Sequence, residues 1–322
     1  MRIRAFGTLN LVGQQGKDDR LPAKVAFSGG YGVSIKLPVF LRFQAAGYCA
    51  VQVAYSNKET ILSVIINETK KKSLNGEVTL GAGVRAVKSV EVGMAMKASG
   101  YDWLFIDLEH GPFNLESATQ ICVAALTQGI TPLVRVASIE GHLSTRILDA
   151  GAQGIVLPHV NNAEEAREFV SICKFPPEGD RSHGGGLPHA SYAPLGPDDL
   201  LAGVNKEMLL VAMIETPEAG EKADEIAAVD GIDVLLIGTN DLSTGMGIAG
   251  QHDHPRVNLV YEQVLAACKK HGKIPGMGGS YQADMLERRI KGGMRFILSG
   301  SDLNFMIAGA KRQSEMIRNI KI

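Results

Sequence analysis

The chain has 322 residues, 45% of them hydrophobic and 21% charged, which is enough apolar material for a large core without requiring a second domain. Its formal net charge of -1 and pI near 6.7, with no like-charge run longer than the lysines at 70–72, argue against nucleic acid or an anionic membrane surface as partner. There is no apolar run of membrane-spanning length and no secretory leader, and Cys49, Cys122, Cys173 and Cys268 lack any C-x-x-C spacing, so a cytoplasmic protein with neither disulfide framework nor zinc knuckle is expected.

Residues 1–68 carry "FSGGYGVS" and a β-prone run from "YCAVQVAY" to "ILSVII", with no motif that implies chemistry. They read as a small β-rich appendage, an unstructured extension, or sequence upstream of the true start, and are set apart from a domain at 69–322. From about residue 77 onward, short β-branched runs alternate with longer amphipathic ones, the rhythm of βα units around a parallel sheet. Strands are expected at 78–84, 103–107, 132–136, 154–158, 208–215, 234–238, 274–279 and 295–300. Helices are expected at 115–128, 139–150, 163–173, 217–228, 256–271 and 281–292. Eight strands over roughly 250 residues fit an α/β fold of the (β/α)8, or TIM-barrel, type. A doubly wound open sheet is the runner-up, but no G-x-G-x-x-G follows the first strand.

In a barrel the reacting groups stand at the C-terminal ends of the strands. The stretch "DWLFIDLEHGPFNLE" runs from a buried strand into Asp107, Glu109 and His110, and this end reads either as the floor of a site or as a polar loop. Arg135 interrupts an apolar strand, where a salt bridge to Asp107 would explain it as well as a catalytic role. Strand five ends in Glu215, and "GTNDLS" after strand six brings Asp241. Two carboxylates from adjacent strand ends suit a hard divalent cation, Mg2+ or Mn2+, better than structural zinc; each read alone could also be a helix cap or loop carboxylate. His252 and His254 fall in a loop with no strong metal signal. "HGGGLPH" at 183–189 lacks the Lys-Ser or Lys-Thr of a P-loop and reads as a mobile loop over the site, while Met94, Met96 and Met213 read as packing.

Residues 77–318 resemble the HpcH/HpaI family of metal-dependent pyruvate aldolases, through "GYDWLFIDLEHGP", "PLVRV", "LDAGAQGIVLPHV", "FPPEGDRS", "MIET", "GTNDLS" and "GQHDHP" in that order. The resemblance implies that Glu215 and Asp241 hold Mg2+ or Mn2+, with Co2+ a third option, and that Arg135 contacts the ketoacid C2 oxygen. It makes His110 the catalytic base, Asp149 the carboxylate partner of that histidine, and the turn of Gly238, Asn240 and Asp241 the holder of the pyruvyl carboxylate. Arg181 is expected to reach the distal end of the substrate. On strand one the place of a pocket tryptophan in many members falls on Val84, followed by Arg85. Alternation sends only one of the two inward. Val84 is favoured, giving a wide pocket for bulky or apolar aldehydes, whereas an inward Arg85 would favour carboxylated ones.

The activity implied is reversible cleavage of a 4-hydroxy-2-ketoacid, such as 4-hydroxy-2-oxoheptanedioate or a 2-keto-3-deoxy sugar acid, to pyruvate and an aldehyde. The alternatives are an acyl-CoA lyase of the malyl-CoA or citryl type, for which no basic cluster is placed to grip CoA phosphates, and a non-catalytic binding barrel. No lysine lies inside the strands from 103–107 onward, so no Schiff base is expected. The resemblance also implies a homo-oligomer, a hexamer built as a trimer of dimers, with the last helix at 303–317 packed on a neighbour.

Overall fold

The computed structural model describes residues 63–321 and, before them, the backbone of three strands. Those strands, β1 (Arg20–Ser28), β2 (Ser34–Phe43) and β3 (Cys49–Gln52), form an antiparallel sheet in the order β1-β2-β3. The β-rich reading of this region therefore holds for its backbone; the glycine-rich part of "FSGGYGVS" lies mostly outside the described residues, between Ser28 and Ser34. The chain divides into compact units Met1–Ile61 and Leu62–Ile322, so the second begins ahead of the expected boundary at 68/69. The described part of "ILSVII", residues 63–66, is not in a strand: Val64 joins the core, and Asn67 is buried at the N-cap of α1 (Glu68–Leu74).

The second unit is a closed, parallel eight-stranded barrel. In chain order its strands are β4 (Thr79–Val84), β5 (Trp103–Asp107), β6 (Thr131–Arg135), β7 (Gly154–Leu157), β8 (Leu209–Ile214), β9 (Val234–Gly238), β10 (Ile274–Gly278) and β11 (Phe296–Ser301). All eight expected strands are present, each within one or two residues of its expected ends. The helices around them are α2 (Glu91–Ala98), α3 (Leu115–Thr127), α4 (Gly141–Asp149), α5 (Ala163–Cys173), α6 (Pro197–Glu207), α7 (Pro217–Glu221), α8 (Ala223–Ala227), α9 (Thr239–Gly245), α10 (Pro255–His271), α11 (Ala283–Gly292) and α12 (Asp302–Arg318). The expected helix at 217–228 is two short ones, broken at Lys222. Helices α1, α2 and α6 lie outside the expected set, whereas α9 begins at the helix start that "TNDLS" offered. Asn114, Asn162 and Thr216 open α3, α5 and α7 by accepting a backbone N–H in their first turn, which fixes where each strand-to-helix loop ends.

Alternation along the strands separates two cores. One fills the barrel with Trp103, Phe105, Leu133, Val211, Leu236 and Phe296 among others; the larger one lies between strands and helices. At the lower end of the inner core the Trp103 and Phe296 rings stack at 3.9 Å. Gly81 makes room for them, since a Cβ there would lie 2.3 Å from the indole. Truncating a fully buried aromatic of this kind costs about 3–5 kcal/mol. Among the described residues no helix is long and apolar enough to cross a membrane.

Candidate active site

The upper ends of the strands surround a cavity of ≈ 210 Å³ lined by polar and apolar residues on or just after β4, β5, β6, β8, β9, β10 and β11 and on α9 and α12. Asp107, the last residue of β5, is fully buried and accepts Arg135 Nε at 3.0 Å and Nη2 at 2.7 Å, with the backbone N–H groups of Glu109 and His110 at 3.2 and 3.0 Å. The register pairs Asp107 directly with Arg135 on β6, so this fork-to-fork contact follows from the sheet itself. Burial opposes ionisation of Asp107, but the Arg135 guanidinium, the His110 N–H and Arg85 together hold its carboxyl below the usual range.

The network continues around the rim. Arg135 Nη1 meets Glu109 at 2.9 Å, Glu109 lies 3.7 Å from His159 Nε2, and His159 Nδ1 lies 3.3 Å from Glu215. His159 has a left-handed backbone, φ 53°, and its N–H donates to Glu215 Oε2 at 3.0 Å. For a residue with a Cβ this conformation is uncommon, and here it aims the amide at the carboxylate. Glu215 is 2% exposed, and its other oxygen, Oε1, is buried with no hydrogen-bond partner. Burial pushes its carboxyl up to about 7, with nearby Asp241 adding to the shift and His159 and Arg135 opposing it.

Gly238, the end of β9, closes this side. A Cβ there would lie 2.5 Å from Glu215 Oε1, so the close approach of strand and carboxylate requires glycine. Asn240 and Asp241 follow in the first turn of α9, and both line the cavity.

Of the expected site residues, His110, Arg135, Glu215, Gly238, Asn240 and Asp241 converge on this one cavity. Three do not. Val84 is fully buried in the core between strands and helices, while Arg85 lines the cavity; the face assignment of strand one is therefore corrected by one residue. Asp149 does not bond His110; it holds Arg181 Nη2 at 2.5 Å, and the carboxylate nearest the His110 ring is Glu109, 3.9 Å away. Arg181 is 3% exposed, packs over the Phe175 ring at 4.2 Å and is not part of the cavity lining. Of the three methionines expected to pack, Met94 is exposed, Met96 packs against the outer core, and Met213 is buried in the inner core where it borders the cavity. His159 is the participant that sequence reasoning missed; it stood inside the "LPHV" motif at a strand end, but nothing in its spacing marked it.

The residues fit a metal ion at Glu215 and Asp241. An orphaned, buried carboxylate oxygen is costly unless something positive meets it, and a second carboxylate lines the same cavity. Among the described residues no three His, Cys, Asp or Glu side chains form a ready metal cluster; a cation held by Glu215 and Asp241 would meet hard carboxylate oxygens and would need waters or substrate oxygens to complete its shell.

A closed parallel barrel with a buried ion-pair network, an imidazole and two carboxylates at its upper face carries its polar groups where barrel enzymes place their reacting groups. Residues 89–308 match the HpcH/HpaI aldolase/citrate lyase family, and the chain belongs to that family, making it a carbon–carbon lyase. It is 40% identical over 261 residues, 80% of this chain and 96% of the relative, to a 4-hydroxy-4-methyl-2-oxoglutarate aldolase of Hapsidospora irregularis. It is 33% identical over 235 residues, 73% and 88% of the two chains, to the 4-hydroxy-2-oxo-heptane-1,7-dioate aldolase of Escherichia coli. The solved HpcH/HpaI aldolase of Desulfitobacterium hafniense superposes with a TM-score of 0.74 at 28% identity, covering 78% of this chain and 97% of that one.

Proposed function

We propose that the protein is a divalent-metal-dependent aldolase that reversibly cleaves a 4-hydroxy-2-ketoacid to pyruvate and an aldehyde. The observation that carries this reading is the orphaned Glu215 Oε1 in the same small cavity as the Arg135 guanidinium and the His110 imidazole. Mg2+ or Mn2+, with Co2+ as a third option, would be held by Glu215 and Asp241 and would act as a Lewis acid toward the C1 carboxylate and C2 oxygen of the ketoacid. Arg135, locked by Asp107 and Glu109, keeps fixed positive charge beside that C2 oxygen, where negative charge develops as the C3–C4 bond breaks. The backbone N–H groups after Gly238 face the pyruvyl carboxylate. His110, half exposed at the cavity wall, takes the C4 hydroxyl proton and returns a proton to C3 of the departing pyruvate enolate. Asp149 is bound to Arg181, and the carboxylate beside the His110 ring is Glu109, at 3.9 Å too far for a hydrogen bond.

An acyl-CoA lyase is disfavoured by the size of the cavity and the absence of lysine among its lining residues. The α12 face with Met306, Ile307, Met316 and Ile317, each more than half exposed, supports a homo-oligomer, for which the family resemblance implies a trimer of dimers. Buried, free Cys122, Cys173 and Cys268 are consistent with a reducing cytoplasm. The test is pyruvate release from a panel of 4-hydroxy-2-ketoacids before and after exhaustive EDTA treatment, with re-addition of Mg2+ or Mn2+. Cleavage abolished by chelation and restored by metal is the expected result; full activity after chelation would overturn the metal role.

A further inference from the structure

Arg85 follows the last residue of β4, and in the barrel order β4 stands four places from β8 around the eight-strand ring, directly opposite Glu215. Its backbone is tightly held. The buried Asp302 carboxylate, at the start of α12, accepts the N–H groups of Arg85, Ala86 and Val87 at 3.0, 2.9 and 2.7 Å, so the base of the arginine is fixed to the barrel rim. The guanidinium is engaged on one side only: Nε lies 3.3 Å from Asp107 Oδ2. Both Asp107 oxygens are already taken by Arg135 at 3.0 and 2.7 Å, so Arg85 is not needed to neutralise that carboxylate. Its two terminal nitrogens have no partner among the described residues, in a side chain 47% exposed toward the cavity. Tyr281 and Asn304 line the same wall; the Tyr281 hydroxyl accepts the Gly279 N–H at 3.3 Å and has its own proton free to donate.

A guanidinium whose terminal fork is unoccupied, anchored at its base and aimed into a site for small acids, matches the planar two-oxygen geometry of a carboxylate. We propose that Arg85 is the specificity residue of this enzyme, binding a carboxylate carried on C4 of the substrate, so that the substrate class is the short 4-hydroxy-2-ketodicarboxylic acids. This rests on the aldolase reading and adds the residue that would select the aldehyde half. The geometry separates the two ends of such a molecule: its ketoacid end lies toward β8 and β9, and its second carboxylate crosses to β4. The cavity, at ≈ 210 Å³, suits a molecule in which little chain separates the reacting carbon from that second charge.

The test is a matched pair of substrates differing at C4 alone, 4-hydroxy-2-oxoglutarate with a carboxylate and 4-hydroxy-2-oxopentanoate with a methyl, assayed with wild type, Arg85→Gln and Arg85→Lys. Wild type should prefer the dicarboxylate in kcat/KM by about 10- to 100-fold, the range for a charge-assisted pair. Arg85→Gln should remove that preference by lowering kcat/KM far more on the dicarboxylate than on the methyl substrate, Arg85→Lys should keep part of it, and inhibition by pyruvate should shift much less than activity on the dicarboxylate. A preference that survives in Arg85→Gln, or an equal loss on both substrates with weaker pyruvate inhibition, overturns the assignment while leaving the aldolase reading intact. Failure of wild type to cleave either substrate would overturn both.

Discussion

Gly238→Ala isolates the metal site from the fold. The backbone at Gly238, φ -87° and ψ 86°, is open to any L-residue, so alanine adds no conformational strain there. The added Cβ meets Glu215 Oε1 at 2.5 Å and Cγ at 2.7 Å, where ordinary contact begins at 3.4 Å, so the carboxylate must retreat by about 0.9 Å. Glu215 is enclosed and bonded to the His159 N–H, so this retreat strains its rotamer or breaks that bond, a cost of about 1–3 kcal/mol in stability. A metal depending on Oε1 should suffer more: an affinity loss of about 10- to 100-fold is expected, the size seen when the support of a metal ligand is disturbed. Calorimetric titration of the metal-stripped protein with Mn2+, paired with thermal melting, separates the two effects. An alanine variant that melts normally and binds Mn2+ as tightly as wild type would refute the placement of the metal on Glu215.

Glu215 also sets a pH dependence. Its folded-state value of about 7 stands above the ordinary 4.5, so between those limits the folded protein holds a proton that the unfolded chain releases; in metal-free protein its contribution to stability is therefore fully present below pH 4.5 and lost as pH rises toward 7. Metal binding needs the carboxylate, so affinity should fall about tenfold per unit below pH 7, readable as a shrinking melting-temperature gain on metal addition from pH 8 to 5. Removing residues 1–61 should leave a folded, active barrel. Removing 1–68 should cost about 2–4 kcal/mol, because Val64 leaves the core and Asn67, which caps α1 and bonds Glu207 and Thr131, is lost; equal urea midpoints for the two truncations would contradict this. Borohydride in the presence of pyruvate should trap no covalent adduct, since no lysine lines the cavity among the described residues; a mass increase of the pyruvyl adduct on an intact-protein spectrum would contradict it.

The barrel was legible because burial on both faces makes each strand a short apolar run between amphipathic segments, a pattern that survives an error of a residue or two at either end. The site is less forgiving. Arg135, Glu215 and Asp241 were found because each is polar where a buried strand ends. The face of β4 was misjudged because a shift of one residue inverts it. "GAGVR" held the needed signal: Gly81 and Gly83 are the small residues that an inward row requires beside Trp103 and Ser301, which makes Arg85 the next inward position. Asp149 and Arg181 lie 32 residues apart in sequence, and nothing local to either shows that they choose each other. The His159 contribution comes partly through a backbone N–H, which side-chain pattern cannot report.

Trp103 is the chain's one tryptophan, and it is sealed against Phe296 at the start of β5, while Asp107 marks the reactive end of the same strand. Four residue steps of strand separate them, about 13 Å. Intrinsic fluorescence excited at the indole band is therefore a built-in gauge of barrel integrity: its emission should be blue-shifted in the native protein, move to the red only when the strands part, and stay nearly silent when a ligand enters the cavity above. A variant such as Gly238→Ala can be judged folded or unfolded by this optical signal in the same cuvette in which pyruvate release is followed.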